Sequence, residues 1–347
     1  MAVLVMILAH VLDAWTHTGD RGTIAFRNLT ILGGLAAPLF LWLAGLVLAL
    51  VAERTAERHG RRRAGTHAIV RRGLEIFILA FLFRLQAFVL TPGGPLVAIF
   101  RVDILNVMGP AIVGAGILWG AARSTRRAAL TCGAAAAVIA LSTPVVRTAA
   151  LVDNLPVWVQ WYLRPSGDLT TFTLFPWAGF VFAGASAGSI LSLVRDRLVE
   201  RQVMIGFAAA GAALVAAGWL TAALPAMYTT SGFWTSSPTY FAIRLGIVML
   251  VLTVIFAGTG GIHEPRGFLA LEQLGRHSLF IYWIHVELVY GYLTWPLHAK
   301  LSVWGSLTSY VLFSGVMYGA LRMRQKAGLR RTVQLPHNRA DDRILHA

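Results

Sequence analysis

The 347-residue chain is 57% hydrophobic and 13% charged, with a formal net charge of +15 and a mean hydropathy of +0.67. A soluble domain devotes about a quarter of its residues to charge, so this composition excludes one and reads as a membrane protein. The basic residues, all but two of them Arg, sit in short clusters between apolar runs rather than on one solvated face, which argues against nucleic acid as a partner. The single cysteine, Cys132, rules out an intramolecular disulfide and a cysteine metal site. It reads as a small apolar packing residue, and no metal is predicted.

Ten apolar runs follow one another, most of them near the roughly 20 residues needed to cross about 30 Å of hydrocarbon. They cover 1–15, 29–52, 70–91, 103–122, 128–146, 173–194, 203–224, 239–258, 278–296 and 303–322. At about 1.5 Å per residue the first reaches only some 22 Å. It is either tilted into the bundle or preceded by further chain, and without a basic leader and small-residue cleavage site it does not read as a removable signal peptide. The expected fold is an all-α polytopic transmembrane bundle of about ten helices over 1–322, with a basic tail over 323–347.

Alternate loops hold very different amounts of Arg and Lys. Segments 53–72, 123–127, 195–202 and 259–277 and the tail from Arg322 carry 22 basic residues; the opposite loops carry six. This bias places both termini in the cytoplasm.

An ionisable side chain at mid-bilayer costs at least about 2.5–3.5 kcal/mol, so each one needs a partner or a watery cavity. With the predicted topology, His10 and Asp13 fall in the outer third of the first helix, and Arg84 lies about two-thirds of the way out along the third. Arg244 falls in the outer third of the eighth, and His285 and Glu287 near the middle of the ninth. Arg101, Asp103 and Asn106 begin the fourth helix at the same level, so these polar groups are expected to converge on the extracytoplasmic half. His10, Asp13 and His17 share a helix face. Asp13 could orient the His10 ring and stabilise its imidazolium, as a general base requires. The competing reading pairs Asp13 with Arg84 or Arg244 to lock helices together while His10 bonds a carbonyl. His285 and Glu287 lie about 200° apart around their helix, so one of the two is expected to brace a neighbour.

The arginines of the 53–72 loop, Arg61, Arg62 and Arg63 among them, suit phosphate groups, although topology and anionic lipid contact are the favoured explanation of the loop taken alone. GTGG at 258–261 matches no phosphate-cradling fingerprint, and GASAG at 184–188 reads as close helix packing. Loops 147–172 and 225–238 combine Trp and Tyr with polar groups, as sugar stacking or interfacial anchoring would require.

The motifs AHVLDAWT (9–16), ILGGLAAPLFLWLAG (31–45), RVDILNVMG (101–109), LFPWAGFVFAG (174–184) and LGRHSLFIYWIHVELVYGY (274–292), in this order and spacing, resemble bacterial relatives of heparan-alpha-glucosaminide N-acetyltransferase. That group sits within a wider set of multi-pass membrane acyltransferases. The resemblance implies transfer of an acyl group, acetyl above all, from cytoplasmic acyl-CoA to an extracytoplasmic glycan or lipid-linked acceptor. It also implies a bacterial inner-membrane location, with His10 as the first-helix histidine of the wider set. The acylated histidine and the aspartate of the eukaryotic enzyme are not matched: counting back from Pro38 puts Gly34 at the aspartate position. On this reading His10 and Asp13 are catalytic, and Arg84, Arg101, Asp103, Asn106, Arg244, His285 and Glu287 bind substrate. Arg61, Arg62 and Arg63 meet the CoA phosphates. The lipid bilayer, acyl-CoA and the acceptor are the partners, and a homo-oligomer is compatible with the sequence. The alternative from another class is a secondary transporter or lipid-handling protein with an intramembrane His/Asp/Arg/Glu path.

Overall fold

A computed structural model describes residues 1–90, 94–224, 228, 231–259 and 266–333. Thirteen helices run through them in chain order: α1 (Ala2–Trp15), α2 (Ile24–Gly33), α3 (Ala36–His59), α4 (Arg62–Leu90), α5 (Ile104–Ala121), α6 (Thr125–Thr148), α7 (Val157–Leu163), α8 (Leu174–Ser192), α9 (Arg197–Ala222), α10 (Pro238–Thr259), α11 (Arg266–Arg276), α12 (Ser278–Tyr290) and α13 (Val303–Val333). Among the described residues there is no strand, only isolated parallel bridges between Thr16 and Leu301 and between Val102 and Thr170. Seven helical segments are long and apolar enough to cross a membrane: Ile24–His59, α4, α5, α6, α8, α9 and α10. The protein is therefore an all-α polytopic bundle.

Each of the ten predicted runs contains a helix, with three departures. The second run is interrupted at residues 34–35, where paired glycines separate α2 from α3. The ninth loses regular helix at Gly291, whose backbone is extended. A 3-10 turn containing Pro296 follows, so α12 has 13 residues instead of the expected 19. The helix of the tenth run, α13, continues past residue 322 to Val333; residues 334–347, and parts of the 225–238 loop and of GTGG, lie outside the described residues.

Local signals explain the ends. Gly60 takes a left-handed conformation (φ 60°) beyond α3, and Gly60 and Arg61 donate N–H groups back to the Glu57 and Ala56 carbonyls. This cap reverses the chain into α4 within two residues. Ser124 caps α6 by accepting from the Arg127 N–H, and Asp196 caps α9 by accepting from the Val199 N–H.

The helices fall into two compact units, residues 1–33 with 263–347 and residues 34–262. In the first, α1 packs against α2, α12 and α13. Trp15 sets its ring edge against Phe313 (centroids 5.6 Å) and donates Nε1–H to the Val289 carbonyl at 3.1 Å. Past α1 the chain runs beside 299–301, with Ala299 donating to Ala14 O, Leu301 to Trp15 O and His17 to Leu301 O.

The second unit is organised by α8, which lies between α3 and α6. A methyl group on Gly45, Gly184 or Gly188 would overlap the opposing Val181, Trp42 or Leu46 carbonyl oxygen, so α3 and α8 touch backbone to backbone. GASAG is thus a close-packing site, as its composition suggests. Cys132, buried on α6, is a free thiol within the core.

Candidate functional site

The first unit brings two histidines from opposite ends of the chain into one hydrogen-bonded line. His285 is 0% exposed. Its Nδ1 lies 2.8 Å from the carbonyl of Ile281, one turn earlier on α12. A carbonyl only accepts, so that nitrogen carries a proton and the neutral ring presents a lone pair at Nε2. His10 Nδ1 stands 2.8 Å from that Nε2 and must be the donor. The two contacts fix both tautomers: His10 Nδ1–H donates to His285 Nε2, and the basic lone pair of His10 is left at its own Nε2. No described residue donates to that atom. The rings are nearly parallel, with centroids 5.0 Å apart and an interplanar angle of 23°.

The hydrogen bond to the His10 ring comes from α12 and not from Asp13 on its own helix. The atom bonded to the His10 ring belongs to His285, and the Asp13 carboxylate accepts the Tyr290 hydroxyl at 2.8 Å. Tyr290 comes in from α12 edge-on to the His10 ring, centroids 5.7 Å apart, and its hydroxyl reaches the next turn of α1. Arg21 donates to the Asp13 backbone carbonyl. His285 reaches α1, and the Tyr282 ring stands edge-on to it with centroids 5.8 Å apart. Glu287 is half-buried, two residues further round α12. His17 is exposed, and its Nδ1 accepts the Gly19 N–H at the start of a 3-10 turn.

The second unit gathers the remaining predicted residues at the end where α5 begins. Asp103 caps α5 in a capping box: its side chain takes the backbone N–H of Asn106, and Asn106 Oδ1 accepts the Asp103 N–H at 3.1 Å. Arg84 forms an ion pair with Asp103; Arg101 lies 3.9 Å from Asp103 and donates to Thr171 Oγ1 at 2.9 Å. Asn106 is 1% exposed, and burial pushes the pKa of the neighbouring Tyr162 phenol up. Val102, Val107 and Trp161 form an apolar cluster beside them, joined by Tyr162 and Trp177. Arg244 stacks on Tyr240 at 4.0 Å and on Trp177 at 5.4 Å.

At the α3–α4 turn, Arg61 and Arg63 are exposed, whereas Arg62 is committed to structure. Its guanidinium donates twice to the Trp119 carbonyl (3.1 and 3.0 Å) and lies over the Trp119 ring at 3.8 Å. It also stands 3.7 Å from Glu53, which accepts the Trp119 indole N–H. Among the described residues no group of three His, Cys, Asp or Glu is placed to hold a metal ion.

Sequence reasoning missed Tyr290 as the partner of Asp13, and Glu53 and Trp119 as the partners of Arg62; nothing in a linear chain joins positions 277 or 57 residues apart. Tyr240 was accessible, because it lies four residues before Arg244 on one helix, the spacing that stacks side chains.

A hydrophobic bundle with buried polar clusters in both units defines a polytopic membrane protein equipped for more than spanning. Residues 1–219 match the family described as heparan-alpha-glucosaminide N-acetyltransferase, catalytic. The chain belongs to this family, and the membership carries acetyl transfer within a membrane as its general class of activity. No curated protein matches the chain. The matched span contains His10 and Asp13; His285 and Tyr290 lie beyond it.

Proposed function

We propose that the protein transfers an acetyl group from cytoplasmic acetyl-CoA to a hydroxyl or amine of an extracytoplasmic glycan or lipid-linked acceptor, with His10 as the base. The observation that carries this reading is the Ile281–His285–His10 hydrogen-bonded line, which leaves the His10 Nε2 lone pair free for a proton. As the acceptor attacks the thioester carbonyl, a new C–O or C–N bond forms and the C–S bond breaks. The acceptor's proton passes to His10 Nε2 and then to the departing CoA thiolate. His285 holds the ring in the tautomer this requires, and Asp13 contributes negative charge beside the imidazolium.

Of the three arginines assigned to CoA, Arg61 and Arg63 have exposed guanidinium groups suited to phosphates, while Arg62 holds the turn that presents them. Arg84, Arg101, Asp103 and Asn106 act on the acceptor side by fixing the start of α5, with Arg244 beside them. Glu287 is assigned to bracing α12. A bacterial inner-membrane location follows from the same reading.

Purified protein incubated with labelled acetyl-CoA and a mixture of glycan acceptors should release CoA and label the acceptor. The His10→Ala variant should lose about 100- to 10,000-fold of that rate, the usual contribution of a positioned acid–base group. A His10→Ala protein of undiminished activity would remove His10 from the mechanism.

A further inference from the structure

α13 has two unlike sides. Phe313, Met317 and Leu321 are buried along the side that meets Trp15 of α1. The opposite side carries Trp304, Leu312 and Val316, all exposed. At roughly 100° per residue, Arg322 and Lys326 continue this exposed row, four residues apart on one face, and both are exposed. Arg324 turns the other way and sets its guanidinium over the Phe280 ring of α12 at 4.3 Å.

Other cations at this end of the molecule have acids beside them. Arg62 has Glu53, Arg71 and Arg72 share Glu75, and Arg276 has Glu272. Among the described residues no carboxylate lies within ion-pair reach of Arg322 or Lys326. The chain has no Asp or Glu between Glu287 and Asp341. The charge bias of the loops assigns this end to the cytoplasmic face. That bias accounts for basic residues here, but not for the exclusion of acids from so long a stretch.

An apolar row that runs directly into uncompensated cations is complementary to a molecule with a hydrocarbon chain and an anionic head. Gly315 and Gly319 lie on the same face with open space around them, which leaves a shallow groove for such a chain. The pair has the spacing that also brings transmembrane helices together. A second copy docked here in the same orientation, however, would set Arg322 and Lys326 against their own counterparts with no acid on either side to offset them. We infer that Arg322 and Lys326 bind the headgroup of an anionic phospholipid whose acyl chain lies along the exposed row of α13.

The test titrates the full-length protein in neutral detergent with phosphatidylglycerol and with phosphatidylcholine of the same chains, reading bound lipid and oligomeric state by native mass spectrometry. Phosphatidylglycerol should bind at least about 10-fold more tightly, since each basic residue at an anionic headgroup contributes about 5-fold. Arg322→Gln with Lys326→Gln should remove most of that preference. Arg71→Gln with Arg72→Gln, which deletes the same charge beside Glu75, should keep it. On the wild-type protein, where no variant has to fold, added salt should weaken phosphatidylglycerol and leave phosphatidylcholine unchanged, and inorganic phosphate should not displace the lipid. Equal affinity for the two lipids, a preference that survives the Arg322 and Lys326 changes, or a preference indifferent to salt would overturn the inference. So would displacement by inorganic phosphate, which assigns the cations to a free anion, or a dimer that excludes lipid, which assigns the face to a second copy.

Discussion

In the proposed mechanism His285 acts through the His10 ring it bonds, and this separates it from a residue that touches substrate. Replacement by Gln leaves a side-chain oxygen able to accept the His10 Nδ1–H, whereas Ala leaves that donor unmet. His285→Gln should therefore keep several-fold more CoA-releasing activity than His285→Ala, which a merely space-filling role would not distinguish. Tyr290→Phe removes the hydroxyl that donates to the Asp13 carboxylate and should lower thermal stability by about 1 kcal/mol, read as a shift in unfolding temperature in detergent. The polar side chains of this site were legible in the sequence, because each is expensive in an apolar run and so betrays itself. Their pairing was not, since a carboxylate at Asp13 suits equally a histidine on its own helix and a hydroxyl arriving from α12. Only packing decides between them, and it chose Tyr290.

At the scale of elements, the contact between α3 and α8 is the most exacting. Gly184→Ala would drive a methyl group into the Trp42 carbonyl and should destabilise the second unit by about 1–3 kcal/mol or more. Gly206→Ala on α9 has open space around it and should instead stabilise its helix by about 0.5–1 kcal/mol. Thermal unfolding of the two variants beside the wild type checks both signs. Helix positions were readable because hydrophobic length and flanking caps such as Ser124 and Asp196 are local properties. The break at residues 34–35 and the early end of α12 were missed because hydropathy averaging passes over single glycines and over Pro296. Arg62 shows a related limit: in sequence it is one of three adjacent arginines, and only the fold commits it to Trp119 and Glu53 while leaving its neighbours exposed.

For the whole molecule, the charge bias predicts an orientation that chemistry can check. The buried Cys132 thiol should not react with a membrane-impermeant maleimide, so single new cysteines report cleanly. Trp158→Cys should label in intact cells and Arg61→Cys only after permeabilisation; the reverse pattern would invert the topology. The first unit also has a consequence in time. It is assembled from both ends of the chain, so His10 leaves the ribosome about 260 residues before α12 begins, an interval of roughly 13–50 seconds at ordinary rates of synthesis. During that interval α1 holds its histidine and carboxylate without the groups that will satisfy them. The hydrogen-bonded line closes only when α12 arrives, making the pairing of His10 a reporter that synthesis has passed residue 285.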